Sequence, residues 1–360
     1  MISRDFDTDV FIVGGGPAGL AAAVAARRKG FRVMVADSAR PPIDKACGEG
    51  IMPDGIDALR QLGFSLASAT PAPFRGIRFF DSSLSAEAPF PNGYGFGVRR
   101  TALHNAMAAT AESAGVELLW GAHITSLVPH GVALGQRIIT SRWIVGADGL
   151  RSRVRAWAGL DTGAPVRRRF GFRSHFRTSP QSDYMELHWG RKAQIYITPV
   201  GPGELCAVAI SRDPHLRLEQ ALAEFPDLAK RLVTPSGSSE VGALTSTRRL
   251  RRVTRGHIAL LGDASGSVDA ITGEGLCLAF RQSLALADAL EHDDLAGYEK
   301  AHRRLRRRPA LMGALLLFFG SRPRLRRHAL HAFAACPALF ETLLAAHVGA
   351  WKPDAILGRL

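Results

Sequence analysis

Apolar runs and glycine turns divide the chain before any motif is sought. Residues 9–13 (DVFIV) form a short apolar run that reads as a buried parallel strand, and Gly14-Gly15-Gly16-Pro17-Ala18-Gly19 follows directly. An alanine-rich helix (LAAAVAARRKG) comes next, then a second strand, FRVMVAD, which ends in Asp37. From Ser38 to Tyr94 the pattern is loop-rich, with Pro41-Pro42, the stretch Lys45-Ala46-Cys47-Gly48-Glu49-Gly50 and an amphipathic helix in MPDGIDALRQLG. Arg100 opens a helix, RTALHNAMAATAESAG, that leads to a VELLW strand. RIITSRWIVGADG reads as a hairpin-like pair of strands ending at Asp148-Gly149. Between about Arg168 and Ile210 the short strands MELHWG, AQIYITPV and GELCAVAI alternate with glycine turns, and predict an antiparallel sheet inserted into the first lobe. HIALLGD returns to that lobe, a long helix starts near Glu274, and the pattern from Leu295 onward is helical.

A length of 360 residues fits two intertwined lobes. Their expected extents are 1–75, 98–160 and 250–295 for the first lobe, 76–97 and 161–249 for the second, and 296–360 for a C-terminal helical region. A hydrophobic content of 46% with 37 Gly and 20 Pro describes a folded α/β protein, neither disordered nor collagen-like. Cys47, Cys206, Cys277 and Cys336 are scattered, with no paired spacing and no clustering with histidine. This pattern predicts no disulfide framework and no metal site, and points to a reducing cytoplasm. The opening MISRDFDTDV is polar and acidic, so no signal peptide is expected, and no run of 18 apolar residues predicts a membrane span.

The formal charge of +14 sits largely in Arg248 to Arg255 and Arg303 to Arg327, the second stretch holding no acid. No recognition motif accompanies it, so nucleic acid is not expected as a partner. Two readings stay open: a solvated arginine-rich surface, or contact with an anionic membrane surface from the cytoplasmic side. The nine-residue run LMGALLLFF (311–319), bracketed by arginines, is too short to span a bilayer. It reads either as a core helix or as an interfacial element.

The strand–glycine turn–helix–strand unit at the start carries specific physics. Gly14 makes the turn, Gly16 lets the backbone approach a pyrophosphate, and Gly19 lets helix and strand pack closely. The helix start at Pro17 and Ala18 offers N–H groups and a positive dipole end to phosphates. Asp37, at the end of the second strand, can accept from ribose hydroxyls.

Two later motifs join this fingerprint: Gly146-Ala147-Asp148-Gly149-Leu150-Arg151-Ser152-Arg153-Val154-Arg155, and His257-Ile258-Ala259-Leu260-Leu261-Gly262-Asp263-Ala264. In this order they resemble the FAD-dependent oxidoreductases that include p-hydroxybenzoate hydroxylase-type monooxygenases and geranylgeranyl reductases. The resemblance implies an α/β fold: a Rossmann-type FAD-binding lobe, an inserted antiparallel β-sheet substrate lobe and a helical C-terminus. It places Gly262 and Asp263 on the ribityl chain, Gly273, Glu274, Gly275 and Leu276 at the helix beneath the flavin, and Arg100 near the cofactor. Asp148 belongs to the second motif, with either a cofactor or a segment-bridging role. Many hydroxylases carry a histidine and a proline where this chain has Gly266 and Ala270. Gly-Asp-Ala-Ser-Gly with Thr-Gly-Glu-Gly, and the Cys47-Gly48-Glu49-Gly50 loop, are similar to the reductase branch.

One fingerprint in the chain implies that NADPH or NADH visits transiently, or that a separate flavin reductase supplies electrons. The strands AQIYITPV and GELCAVAI resemble the sheet that roofs the flavin in the hydroxylases. They tip the expectation to a monooxygenase acting on a hydrophobic aromatic, polyketide, quinone or lipid-like molecule. Reduction of an isoprenoid double bond is the second reading, and a non-catalytic flavin-binding partner of a biosynthetic complex the third. Cys47 is the candidate catalytic residue, as proton donor or flavin-tuning thiol; a buried inert thiol is its other reading.

Overall fold

The computed structural model describes residues 6–163 and 166–350. Its first sheet is built around Thr8–Val13, buried on both faces, which is why this strand is a continuous apolar run and not an alternating one. Val33–Asp37 and Arg137–Gly146 flank it in parallel, with Glu117–Trp120 beyond the first and Ile258–Leu260 beyond the second. The alanine-rich helix Pro17–Arg28 packs against the helices Arg100–Ser113 and Gly275–Glu291. Ala21, Ala22, Ala23, Ala25 and Ala26 are all buried there, and their small side chains allow the close approach.

RIITSRWIVG departs from the expected pair of strands. It is one strand of 10 residues whose first half pairs antiparallel with Gly131–Leu134 and whose second half runs parallel to Thr8–Val13. The change in burial that looks like two strands is one strand leaving a ribbon and entering the core.

The second sheet has seven strands, in the order Val241–Thr247, Val166–Arg177, Glu204–Ser211, Ala193–Gly201, Tyr184–Trp189, Gly76–Asp81 and Leu84–Pro89. It is mixed and not purely antiparallel, because Tyr184–Trp189 and Gly76–Asp81 pair in parallel. Period-two alternation divides its side chains. Ile195, Ile197, Ala207 and Ala209 pack with Leu218, Leu222 and Leu228 on one face, while Tyr196, Val208 and Ile210 point to the opposite face.

The C-terminal region forms three helices, Leu295–Gly320, Pro323–Ala335 and Pro337–His347. The last two pack on Leu84–Pro89 and so cover an edge of the second sheet, which would otherwise offer unpaired backbone groups. The run 311–319 does not face one way: Met312, Gly313 and Leu316 are buried, whereas Leu311 and Phe318 are exposed. Among the described residues no single helix is long and apolar enough to cross a membrane.

Candidate functional site

Between the two sheets lies a cavity of about 540 Å³. Its walls run from the glycine turn at Gly14 and Gly16, along the loop Lys45–Gly50, to Tyr196, Val208 and Ile210 of the second sheet.

At one end the first strand turns at Gly14, whose φ of 111° favours glycine. Its N–H is held by the Ala36 carbonyl at 2.8 Å. Asp37 uses one oxygen to accept the Gly15 N–H at 2.7 Å and the other to accept the Ala39 N–H at 2.8 Å. Each carboxylate oxygen keeps a further lone pair for a hydroxyl-bearing ligand. His104, one turn after Arg100 on the same helix face, donates from Nε2 to the Gly15 carbonyl at 2.9 Å. Burial, with Arg100 nearby, pushes its imidazole below the ordinary value, so it acts as a neutral N–H donor that aims the glycine turn. The four-residue spacing from Arg100 was the signal in the sequence that could have revealed it.

The helix beginning at Pro17 has no side chain capping its first turn. Beside it, a Cβ placed on Gly16 would meet nothing closer than Arg100 Nη2 at 3.9 Å. Arg100 is buried, and its Nε has no hydrogen-bond partner among the described residues. Asp148 uses Oδ2 to accept the N–H groups of Arg153 (2.7 Å) and Val154 (3.1 Å), which holds the short helix Arg153–Trp157, while its buried Oδ1 has no hydrogen-bond partner among the described residues. An uncapped helix start, an unmet guanidinium N–H and open space at a glycine together fit an extended diphosphate, while the unmet Asp148 oxygen, an acceptor, suits a hydroxyl or N–H of the same ligand.

Asp263 projects into the cavity and pairs with Lys45 at 2.9 Å; their side chains keep 39% and 44% of their accessibility. The ammonium holds the Asp263 carboxyl below the usual carboxylate range, and the carboxylate raises Lys45. Lys45 carried no signal beyond its place before Cys47. Gly262 sits against Ala18, where a Cβ would come within 2.9 Å of the Ala18 Cβ, so the third motif meets the first through a glycine. Gly273, Gly275 and Leu276 line the cavity with Pro17, Ala18 and Asp148.

Glu274 is not brought to the cavity. Its carboxylate is turned into a buried cluster with Arg308 (3.5 Å), Arg281 (3.6 Å) and His347 (3.6 Å), and both arginines also reach Asp54. Burial, with Asp54 adding to it, raises the Glu274 carboxyl to about 7, and burial lowers His347 to about 4. The cluster pins the last helices to the start of Gly275–Glu291.

Cys47 lines the cavity, half-buried, and its sulfur accepts the Glu49 N–H at 3.2 Å. Burial pushes it above its ordinary value, so it stays protonated at neutral pH. Glu49 holds this loop in place. Its Oε1 accepts from the Arg100 N–H (2.9 Å) and Arg173 Nη1 (3.0 Å), and its Oε2 from His175 Nε2 (2.7 Å). Arg173 also grips Asp44 through two bonds of 2.8 and 2.7 Å, and His175 reaches Ser238 through Nδ1. Arg173 and His175 come from an inserted strand more than a hundred residues away, so local pattern could not disclose them. Glu49, His175 and Cys206 also bring ligand-type atoms within 4.8 Å of one another, with both Glu49 oxygens already accepting the hydrogen bonds above.

A parallel sheet with a glycine-lined helix start, opening into a cavity roofed by a second sheet, is the build of a protein that holds a dinucleotide cofactor stretched between two lobes. The family described as FAD binding domain matches residues 7–294, and the chain belongs to this family of FAD-dependent oxidoreductases. Menaquinone reductase of Mycobacterium tuberculosis (strain ATCC 25618 / H37Rv) is 29% identical over 330 residues, covering 82% of this chain and 79% of that protein. Digeranylgeranylglycerophospholipid reductase 1 of Methanococcoides burtonii is 26% identical over 343 residues, with 82% and 79% covered. Among solved structures, a flavoprotein/dehydrogenase from Cytophaga hutchinsonii superposes with a TM-score of 0.84 at 17% identity, covering 96% of this chain and 94% of that one. That last likeness concerns the fold.

The residues present fit FAD. The turn at Gly14–Gly16, the start of Pro17–Arg28 and Arg100 would hold the pyrophosphate, and Asp37 the adenosine ribose. Asp263 with Lys45 would meet the ribityl hydroxyls, and the N–H groups at Gly275 and Leu276 the flavin.

Proposed function

We propose that the protein is a FAD-dependent reductase of carbon–carbon double bonds in a hydrophobic, prenylated substrate. The observation that carries this reading is the Cys47 thiol, which is held protonated on a clamped loop of the cavity wall. When bound and reduced, FAD supplies a hydride. The substrate then needs one proton, and Cys47 Sγ–H is a donor at the cavity surface. Glu49, gripped by Arg100, Arg173 and His175, fixes where that thiol sits. Tyr196 donates its hydroxyl to the Ile271 carbonyl at 2.8 Å, so with Val208 and Ile210 it offers an apolar roof suited to an alkene chain. The menaquinone reductase and digeranylgeranylglycerophospholipid reductase relatives support this reading. The sequence alone leaned to oxygenation through the roofing strands, but such a sheet belongs to the fold and does not by itself choose a reaction. NADPH, NADH or a separate flavin reductase would supply the electrons.

The test bypasses that electron source. FAD-loaded protein is reduced with dithionite without oxygen and given a quinone with an unsaturated prenyl tail. The expected product has gained two hydrogens in its prenyl tail, and in D2O both added positions carry deuterium, because dithionite supplies only electrons and both hydrogens then come from solvent. An unchanged substrate under these conditions, together with an oxygenated product in air, would overturn the proposal.

A further inference from the structure

The helix Leu295–Gly320 presents a stripe to solvent at three- and four-residue spacing: Arg304, Arg307, Leu311, Ala314 and Phe318 are all exposed. The stripe is basic in its first half and apolar in its second. Leu311 is 74% and Phe318 42% exposed, large values for such side chains on a helix whose other face packs normally. Arg322 lies over the Phe318 ring, 4.1 Å from its centroid, so a cation sits beside the apolar tip. The next helix, Pro323–Ala335, buries Arg326 and Leu330 and leaves Arg324, Leu325 and Arg327 outside, and Leu339 of the last helix is 52% exposed.

The arginines divide by use. Arg303 pairs with Glu299, Arg306 donates to the carbonyls of Arg248 and Ser267, Arg308 reaches Asp54, and Arg326 pairs with Asp81. Arg304, Arg307, Arg324 and Arg327 make no ion pair or side-chain hydrogen bond among the described residues. No acid occurs between Glu299 and Glu341 to neutralise them. Single apolar side chains projecting between uncompensated long cations match an interface in which hydrocarbon lies just beneath a layer of negative headgroups. The stems reach inward while the charged ends stay at phosphate level. A folded acidic partner or a nucleic acid would satisfy the charge and leave Leu311 and Phe318 without a counterpart.

The opposite side of the same helix gives the surface a purpose. Gly313 packs so closely on the segment Ala270–Thr272 that a Cβ there would lie 3.2 Å from Thr272 Cγ2. Ala270 of this segment and Asp269 just before it line the cavity, so the exposed stripe and the cavity wall are two sides of one helix thickness.

We propose that the exposed face of the helices Leu295–Gly320 and Pro323–Ala335 seats the protein on an anionic bilayer surface without crossing it. Sedimentation reads binding alone, so the inference stands or falls apart from the reaction proposed above. Full-length, FAD-loaded protein is spun with vesicles of phosphatidylcholine containing phosphatidylglycerol, and with pure phosphatidylcholine vesicles. The expected result is binding to the anionic vesicles that weakens with salt, as charge is screened within about 8 Å at physiological ionic strength, yet does not vanish. Leu311→Ser with Phe318→Ser removes the salt-resistant part, with a loss of at least about tenfold in partition. Arg304→Gln, Arg307→Gln, Arg324→Gln and Arg327→Gln together remove the salt-sensitive part. FAD content and unfolding midpoint, measured on each variant, separate lost binding from lost folding. Absence of sedimentation at low salt by folded, yellow protein overturns the proposal. Binding equal to that on RNA, abolished by salt and unchanged in the Leu311/Phe318 variant, also overturns it, in favour of a polyanion surface.

Discussion

A valine at Gly16 and an alanine at Gly19 should fail for different reasons, and the difference tests whether the glycine turn holds a ligand. At Gly19 a Cβ would overlap the Gly14 carbonyl oxygen. That oxygen cannot retreat, because Gly14 sits at φ 111° with its N–H bonded to Ala36 at 2.8 Å. The helix Pro17–Arg28 must therefore lift off the central strand, at a cost toward the upper end of the ~1–3 kcal/mol of overpacking. At Gly16 the backbone is extended (φ −71°, ψ 176°), a conformation that valine adopts readily. The nearest atom to an added Cβ is Arg100 Nη2 at 3.9 Å, so the ligand-free fold should lose only about 1 kcal/mol from a poorer helix cap. The valine would fill the space beside the helix start. Loss of about two charge-assisted bonds to a diphosphate, each ~1.5–3 kcal/mol, weakens FAD on the order of 10²- to 10⁴-fold. The assay pairs urea unfolding of FAD-stripped protein with flavin titration of refolded samples. Gly16→Val should fold nearly as the parent does and stay colourless, whereas Gly19→Ala should be less stable with or without flavin. Full FAD retention in Gly16→Val would refute the placement of the pyrophosphate, and equal destabilisation of both apoproteins would refute the argument from space.

Asp263→Ala should weaken FAD by about 10- to 150-fold, the worth of one hydrogen bond to a charged group, and unchanged affinity in a flavin titration would remove Asp263 from the site. Cys47→Ala should still accept electrons at the flavin yet lose product formation by about 100-fold or more, read as the rate of prenyl-chain reduction; full turnover would defeat the thiol as proton donor. The cluster behind the flavin helix predicts a pH effect. The Glu274 carboxyl is raised to about 7, so the folded state binds its proton more tightly than the unfolded chain and stability falls as pH rises from about 4.5 to 7. His347, lowered to about 4, contributes the opposite slope from about 4 to 6.5, where folding is favoured as pH rises. Glu274→Gln should expose the histidine slope, steepening the rise of urea stability between pH 4.5 and 6.5 by an amount approaching 1.4 kcal/mol per pH unit, and parallel pH profiles for parent and variant would show that Glu274 is ionised throughout.

The parts of this protein that follow from local sequence are those in which one backbone segment meets the ligand by itself. The turn after Thr8–Val13, the helix start at Pro17 and the acid closing Val33–Asp37 lie within one short unit, and their spacing alone places them together. Asp263 and Gly275 follow for a similar reason, each standing at the end of its own regular element. What the tertiary structure decided is which side chains face which way once distant strands close over one another. The clamp on Cys47 joins Asp44 and Glu49 to Arg173 and His175 across more than a hundred residues, and Lys45 becomes the partner of Asp263 only when the loop folds across the cavity. Glu274 adjoins two cavity-lining glycines, yet its carboxylate turns away into a buried pocket beside the Arg281 and Arg308 guanidinium groups and His347. The run 311–319 likewise reads as uniformly apolar, and the helical repeat splits it, sending Met312 and Leu316 to the core and Leu311 and Phe318 to the surface. Composition states how much apolar surface a segment carries; only packing against the rest of the chain states how much of it is covered.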